Sequence, residues 1–174
     1  MELISTPVRI AEADIKGQAK RKGGLIGLVM LAGSPLTLLR VEYKKYFRFF
    51  FPYEIVARVF PFRRREFNGD MEIIVDAISG SCAVNNAVDI ELIQVEGHVF
   101  MDGTLDMEMQ EAHDIAIEFG RRVLTRLGRS VPHFGECLEP DVFYRPFWIA
   151  YYGDPKDKKC RYLPFGADGH AFKR

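Results

Sequence analysis

Four histidines and three cysteines are the residues of this chain best suited to chemistry. His98, Asp102 and His113 stand in an acidic segment, where imidazole and carboxylate together suit a divalent cation. Their intervals match no metal-ligand spacing, so scattered polar groups on a solvated face account for them. His133 and Cys137 lie close together in a loop with Pro132 and Gly135. A nucleophilic pair is defined by spatial geometry rather than by such proximity. The chain has no P-loop, no G-x-G-x-x-G, no H-E-x-x-H and no G-x-S-x-G. We therefore expect no cofactor, no metal and no catalytic residue. An enzyme with an unrecognised site, at His98, Asp102 and His113 or at His133 and Cys137, is the alternative.

Charge is balanced overall and segregated along the chain. Residues 1–65 hold 13 Lys and Arg against 5 Asp and Glu, and residues 119–174 hold 11 against 6. Between them, residues 66–118 carry 13 carboxylates and no Lys or Arg. Segregation on this scale points to a protein partner or self-association through complementary charge. Pairing of acidic with basic strands inside one molecule explains it too. The basic and aromatic stretch from Tyr43 to Arg65 also suits peripheral contact with an anionic membrane. A whole-chain pI near 6.9 argues against a dedicated nucleic-acid binder.

Cys82, Cys137 and Cys160 are odd in number and widely spaced, which fits reduced thiols and a cytoplasmic setting. The apolar run from Leu25 to Leu39 follows Lys20-Arg21-Lys22 but contains Gly27, Gly33 and Pro35. It falls short of the roughly 20 apolar residues of a spanning helix, so it reads as buried core and no transmembrane segment is expected.

The elements that must position these groups follow from periodicity. Thr6-Pro7 reads as a helix start, with Val8, Ala11, Ile15 and Ala19 on one face as far as Lys22. From Val41, aromatic and β-branched residues predict a strand in which Pro52 marks an edge or bulge. Residues 62–70, with Asn68-Gly69, read as a basic turn before a returning strand at Met71–Ala77. Two strands are expected at Ala87–Val95 and His98–Met101. A second helix runs from about Asp106 to Leu127, with Met109, Ala112, Ala116, Phe119 and Val123 on one face. Its carboxylates come early and its arginines late, in accord with the helix dipole. An aromatic strand at Asp141–Tyr152 and a last strand near Cys160–Phe165 close the chain.

Placing Pro52 over Pro146 aligns two aromatic strands, each followed by a return strand and an aspartate, Asp76 or Asp168. This suggests one domain, 1–174, with a duplicated helix-then-hairpin unit at about 6–80 and 104–169. The first copy, a helix and an aromatic hairpin ending in Asp76-Ala77-Ile78-Ser79-Gly80, resembles the PepSY module. The second copy departs from that pattern, with only Ala167-Asp168-Gly169. The resemblance implies a cystatin-like layered fold and an inhibitory or interaction role, with no catalytic residues.

The reading is an α+β fold: an antiparallel sheet from two aromatic hairpin units with two amphipathic helices packed on it. The function expected is protein interaction or assembly. A small-molecule or lipid binder with an aromatic-lined cavity is an alternative. Binding residues expected are Arg63, Arg64 and Arg65 on a projecting turn, with Trp148, Tyr151 and Tyr152, the residue types enriched at interface hot spots.

Overall fold

The computed structural model describes residues 1–21, 31, 34–59, 63–85, 89–100, 107–128, 131–154, 157 and 160–170. In chain order the elements are β1 (Glu2–Ser5), α1 (Glu12–Lys20), β2 (Leu36–Val59), β3 (Arg63–Asp76), β4 (Cys82–Asn85), β5 (Ile93–Glu96), α2 (Met109–Gly128), β6 (His133–Phe134), β7 (Leu138–Tyr152) and β8 (Arg161–Gly166). Strand accounts for 51% and helix for 20% of the described residues. One mixed sheet has the order β4-β3-β2-β7-β1-β5, with β6 on β2 and β8 on β7. The expected balanced α+β fold with a purely antiparallel sheet is therefore wrong. Parallel pairing enters where Ser5 lies opposite Tyr144 and where Tyr43 bridges Val99. These pairs join distant parts of the chain, and nothing in local periodicity announces them.

The chain divides into two compact units. The first comprises residues 1–44, 91–100 and 144–170, and the second 45–90, 101–143 and 171–174. In the second unit, alternation along β2 points Phe47, Phe49, Phe51 and Ile55 to one face. Met71, Ile73 and Val75 of β3 join them, and α2 covers the cluster with Ala112, Ala116 and Leu124. Fully burying one such side chain is worth about 1.5–3 kcal/mol, so this row is the unit's main source of stability. Gly120 lets α2 approach closely: a Cβ there would sit 2.9 Å from both Ile73 Cδ1 and Phe134 Cζ.

Pro52 lies inside the 24-residue strand β2, not at an edge or bulge. Its carbonyl accepts the Gly135 N–H, so its missing donor faces the β6 side and costs β3 no ladder bond.

In the first unit α1 packs through Ala19 on Ala150 and Tyr152, with Leu31 beside them. The Tyr152 hydroxyl donates to the Ala19 carbonyl at 2.5 Å. The run Leu25–Leu39 falls largely outside the described residues; its end forms the start of β2. Thr6 does not cap α1, which starts six residues later behind Ala11. Its hydroxyl instead donates to Asp168 Oδ2 at 3.0 Å, and its N–H donates to the Tyr144 carbonyl. Asp168 is buried and takes two bonds from Arg145, at 2.7 and 2.9 Å. The expected strands at Ala87–Val95 and His98–Met101 reduce, among the described residues, to β5 and the bridge at Val99.

Each hairpin ends in an alanine whose carbonyl accepts from the residues ahead of a helix, with the aspartate before the alanine in one and after it in the other. Asp76 Oδ1 accepts the N–H groups of Ile78 and Ser79, and Ala77 O accepts Met107 N–H just ahead of α2. Asp168 Oδ1 accepts His170 N–H, and Ala167 O accepts Arg9 and Ile10 N–H just ahead of α1. The prolines, by contrast, are not equivalent. Pro52 faces Asp70, six residues along from Tyr46, which faces Asp76. Pro146 instead adjoins Phe147, which faces Gly166, and accepts the Ala167 N–H.

Candidate functional site

Residues 56–59 and 63–71 form a hairpin arm of the second unit. Arg63, Arg64 and Arg65 are strand residues opposite Val59, Arg58 and Ala57, so the expected basic turn at 62–70 is wrong. Asn68-Gly69 makes no turn either, because these residues face Glu54 and Tyr53 in register. The Tyr53 ring lies over Gly69, with its hydroxyl 3.0 Å from where a Cβ would stand. Here glycine serves as a seat for a cross-strand aromatic rather than as a turn residue.

The arm is open on several sides. β4 pairs with β3 only at residues 72–75, so among the described residues the 63–71 stretch has a strand neighbour on the β2 side alone. Arg65, Glu66, Phe67, Asn68 and Asp70 are exposed on both faces of the strand. Phe67 is 42% exposed, with the Arg65 guanidinium 5.0 Å from its ring centre. Beside the arm an open cleft of about 670 Å³ is lined by Pro52, Tyr53, Glu54, Asn68, Asp70 and His133. Among the described residues, Arg65, Glu66, Asp70 and Glu54 take part in no ion pair. Four uncompensated charges beside a bare strand edge form a surface suited to a charged polypeptide.

The other expected contact residues lie elsewhere, in the first unit. Trp148 spends its indole N–H on the Ile10 carbonyl at 2.8 Å. The Tyr151 hydroxyl donates to the Glu42 carboxylate, which also takes Arg40 Nε at 2.6 Å. Burial first, then the Glu42 bond, pushes the Tyr151 phenol up to about 12, so it serves as a donor and not as a base. Tyr152 is 2% exposed and belongs to the core. The side chains of Arg63 and Arg64 lie outside the described residues.

His113 packs its ring against Phe49 and Phe51, at 5.7 and 5.6 Å between centroids. Asp102 lies outside the described residues. His133 pairs across β6 with Glu54 of β2. Burial raises the Cys137 thiol, and raises Cys82 to about 11, so both are poor nucleophiles. No group of three potential metal ligands occurs among the described residues. The interior between α2 and its strands is filled by the aromatic row, and the described clefts are open.

On the same strand face as the cleft, Glu72 is half-buried and bonded to Asn85 at 2.9 Å. Burial raises its carboxyl against the pull of Asn85 and Arg48. Sequence reasoning named the arginines of this stretch as contact residues and missed Glu66, Phe67, Asn68 and Asp70. The available signal was the alternation of charge with a lone phenylalanine, which a turn reading conceals.

No protein-family model, no curated protein and no solved structure matches this chain. No described helix is long and apolar enough to cross a membrane.

Proposed function

We propose that this chain is a protein-interaction or assembly protein, and that the arm of the second unit is its contact surface. The observation that carries this reading is that, among the described residues, the outer edge of β3 at 63–71 has no strand neighbour, Phe67 is exposed and the charges find no intramolecular partner. Edges of this kind are normally shortened, covered or used. Arg63, Arg64 and Arg65 supply the basic end of the contact and Asp70 the acidic end. The likeness of the Asp76–Gly80 turn to PepSY modules is in keeping with an interaction role. The three free cysteines accord with a cytoplasmic setting.

The test is cross-linking mass spectrometry on the native full-length chain, beside a variant carrying Arg63→Ala, Arg64→Ala and Arg65→Ala. The expected result is arm cross-links to a protein that disappear in the variant, with the thermal midpoint nearly unchanged. Cross-links that survive in the variant, or that never touch residues 56–71, would refute the proposal.

A further inference from the structure

The backbone orientation of β3 can be read from Pro52. In an antiparallel ladder the N–H and C=O of one residue point to the same side. Pro52 directs its carbonyl to Gly135, away from β3, so the Pro52–Asp70 pair is a non-hydrogen-bonded one. Asp70 and its alternate residues Asn68, Glu66 and Arg64 therefore point their backbone groups out of the free edge. Odd-numbered residues of this stretch bond to β2. Among the described residues the free edge runs from residue 63 to residue 71, where β4 takes over, and its midpoint is Phe67.

We infer that a second copy of this chain pairs with this edge, antiparallel and centred on Phe67, giving a two-fold symmetric dimer. The inference rests on the interaction reading above and names its partner. An isologous contact must be self-complementary, and this stretch is. Pairing about Phe67 sets Arg64 opposite Asp70 of the second copy, twice over, and Glu66 opposite Asn68. Both pairs fall at positions whose backbone groups point outward, so they can exchange ladder bonds. Phe67 meets Phe67 of the second copy at a non-hydrogen-bonded position, where side chains come closest. A register one residue to either side would lose the Arg64–Asp70 match.

Sedimentation velocity on the full chain tests this, using Arg64→Asp, Asp70→Arg and the double variant. The wild type is expected to form a concentration-dependent dimer. Each single reversal places like charges opposite each other twice and should weaken dimerisation at least about tenfold. The double variant restores both pairs and should restore the dimer, which also shows that the substituted chains fold. A mass unaffected by either single reversal overturns the inference. If the chain is a monomer whose arm still cross-links to a different protein, the self-pairing is wrong and the interaction reading stands. If the arm cross-links to nothing, both fall.

Discussion

In the first unit the buried Asp168 carboxylate accepts four hydrogen bonds. Burial alone would raise its carboxyl, but the bonds and charge of Arg145, the His170 N–H and the Thr6 hydroxyl together outweigh burial and hold it below the ordinary carboxylate range. Removing the carboxylate takes from the buried Arg145 the anion that it bonds at two points. Asp168→Ala should therefore cost about 3–5 kcal/mol in denaturant unfolding. The pH dependence has a definite sign. A depressed folded-state pKa contributes stability that is complete above the unfolded value and is lost as pH falls through the folded one. Wild-type stability should thus decline below about pH 4, in the range where an unperturbed carboxylate titrates. Asp168→Asn should start less stable and lack that part of the acid limb. Thr6-Pro7 shows why the site was hidden in the sequence: a hydroxyl before proline is a local helix-start signal, and its real partner lies 162 residues away.

At the scale of elements, α1 and α2 contain glycines in opposite situations. Gly17 of α1 has nothing within 4 Å of its added Cβ, whereas Gly120 of α2 meets Ile73 and Phe134 at 2.9 Å. Alanine improves helix propensity at either place by about 1 kcal/mol. Overpacking against buried neighbours costs about 1–3 kcal/mol. Gly17→Ala should raise the thermal midpoint, and Gly120→Ala should lower it. Helix α2 was legible in sequence because its apolar repeat and its charge gradient are both local. The β2–β3 and β7–β8 hairpins were legible for the same reason. The arm was misread because Asn68-Gly69 is a strong turn signal, and only the cross-strand Tyr53 ring explains glycine there. β1 is four residues long and pairs with β5 and β7, so no periodicity could reveal it. The proline alignment was not sound, because Pro52 and Pro146 hold different register positions in their hairpins.

For the molecule as a whole, charge segregation acquires a location. The 13 carboxylates of residues 66–118 begin at Glu66, directly after the last arginine of the basic block, so the boundary between the blocks falls inside the arm. A strand that changes sign along its length complements its own antiparallel copy. Such pairing between exposed charges is screened over about 10 Å at 0.1 M salt, so assembly through the arm should weaken as salt rises. The most direct measurement is disulfide trapping of the Phe67→Cys chain under mild oxidation, with Asp70→Cys as the control. Centred pairing brings position 67 opposite itself at a spacing of about 4.5 Å between Cα atoms, within disulfide range, and separates the two copies of position 70 by several residues. The account predicts a covalent dimer whose linking peptide joins Cys at 67 to Cys at 67, and little from the control. A Phe67→Cys chain that stays monomeric, or that links no better than Asp70→Cys, would contradict it.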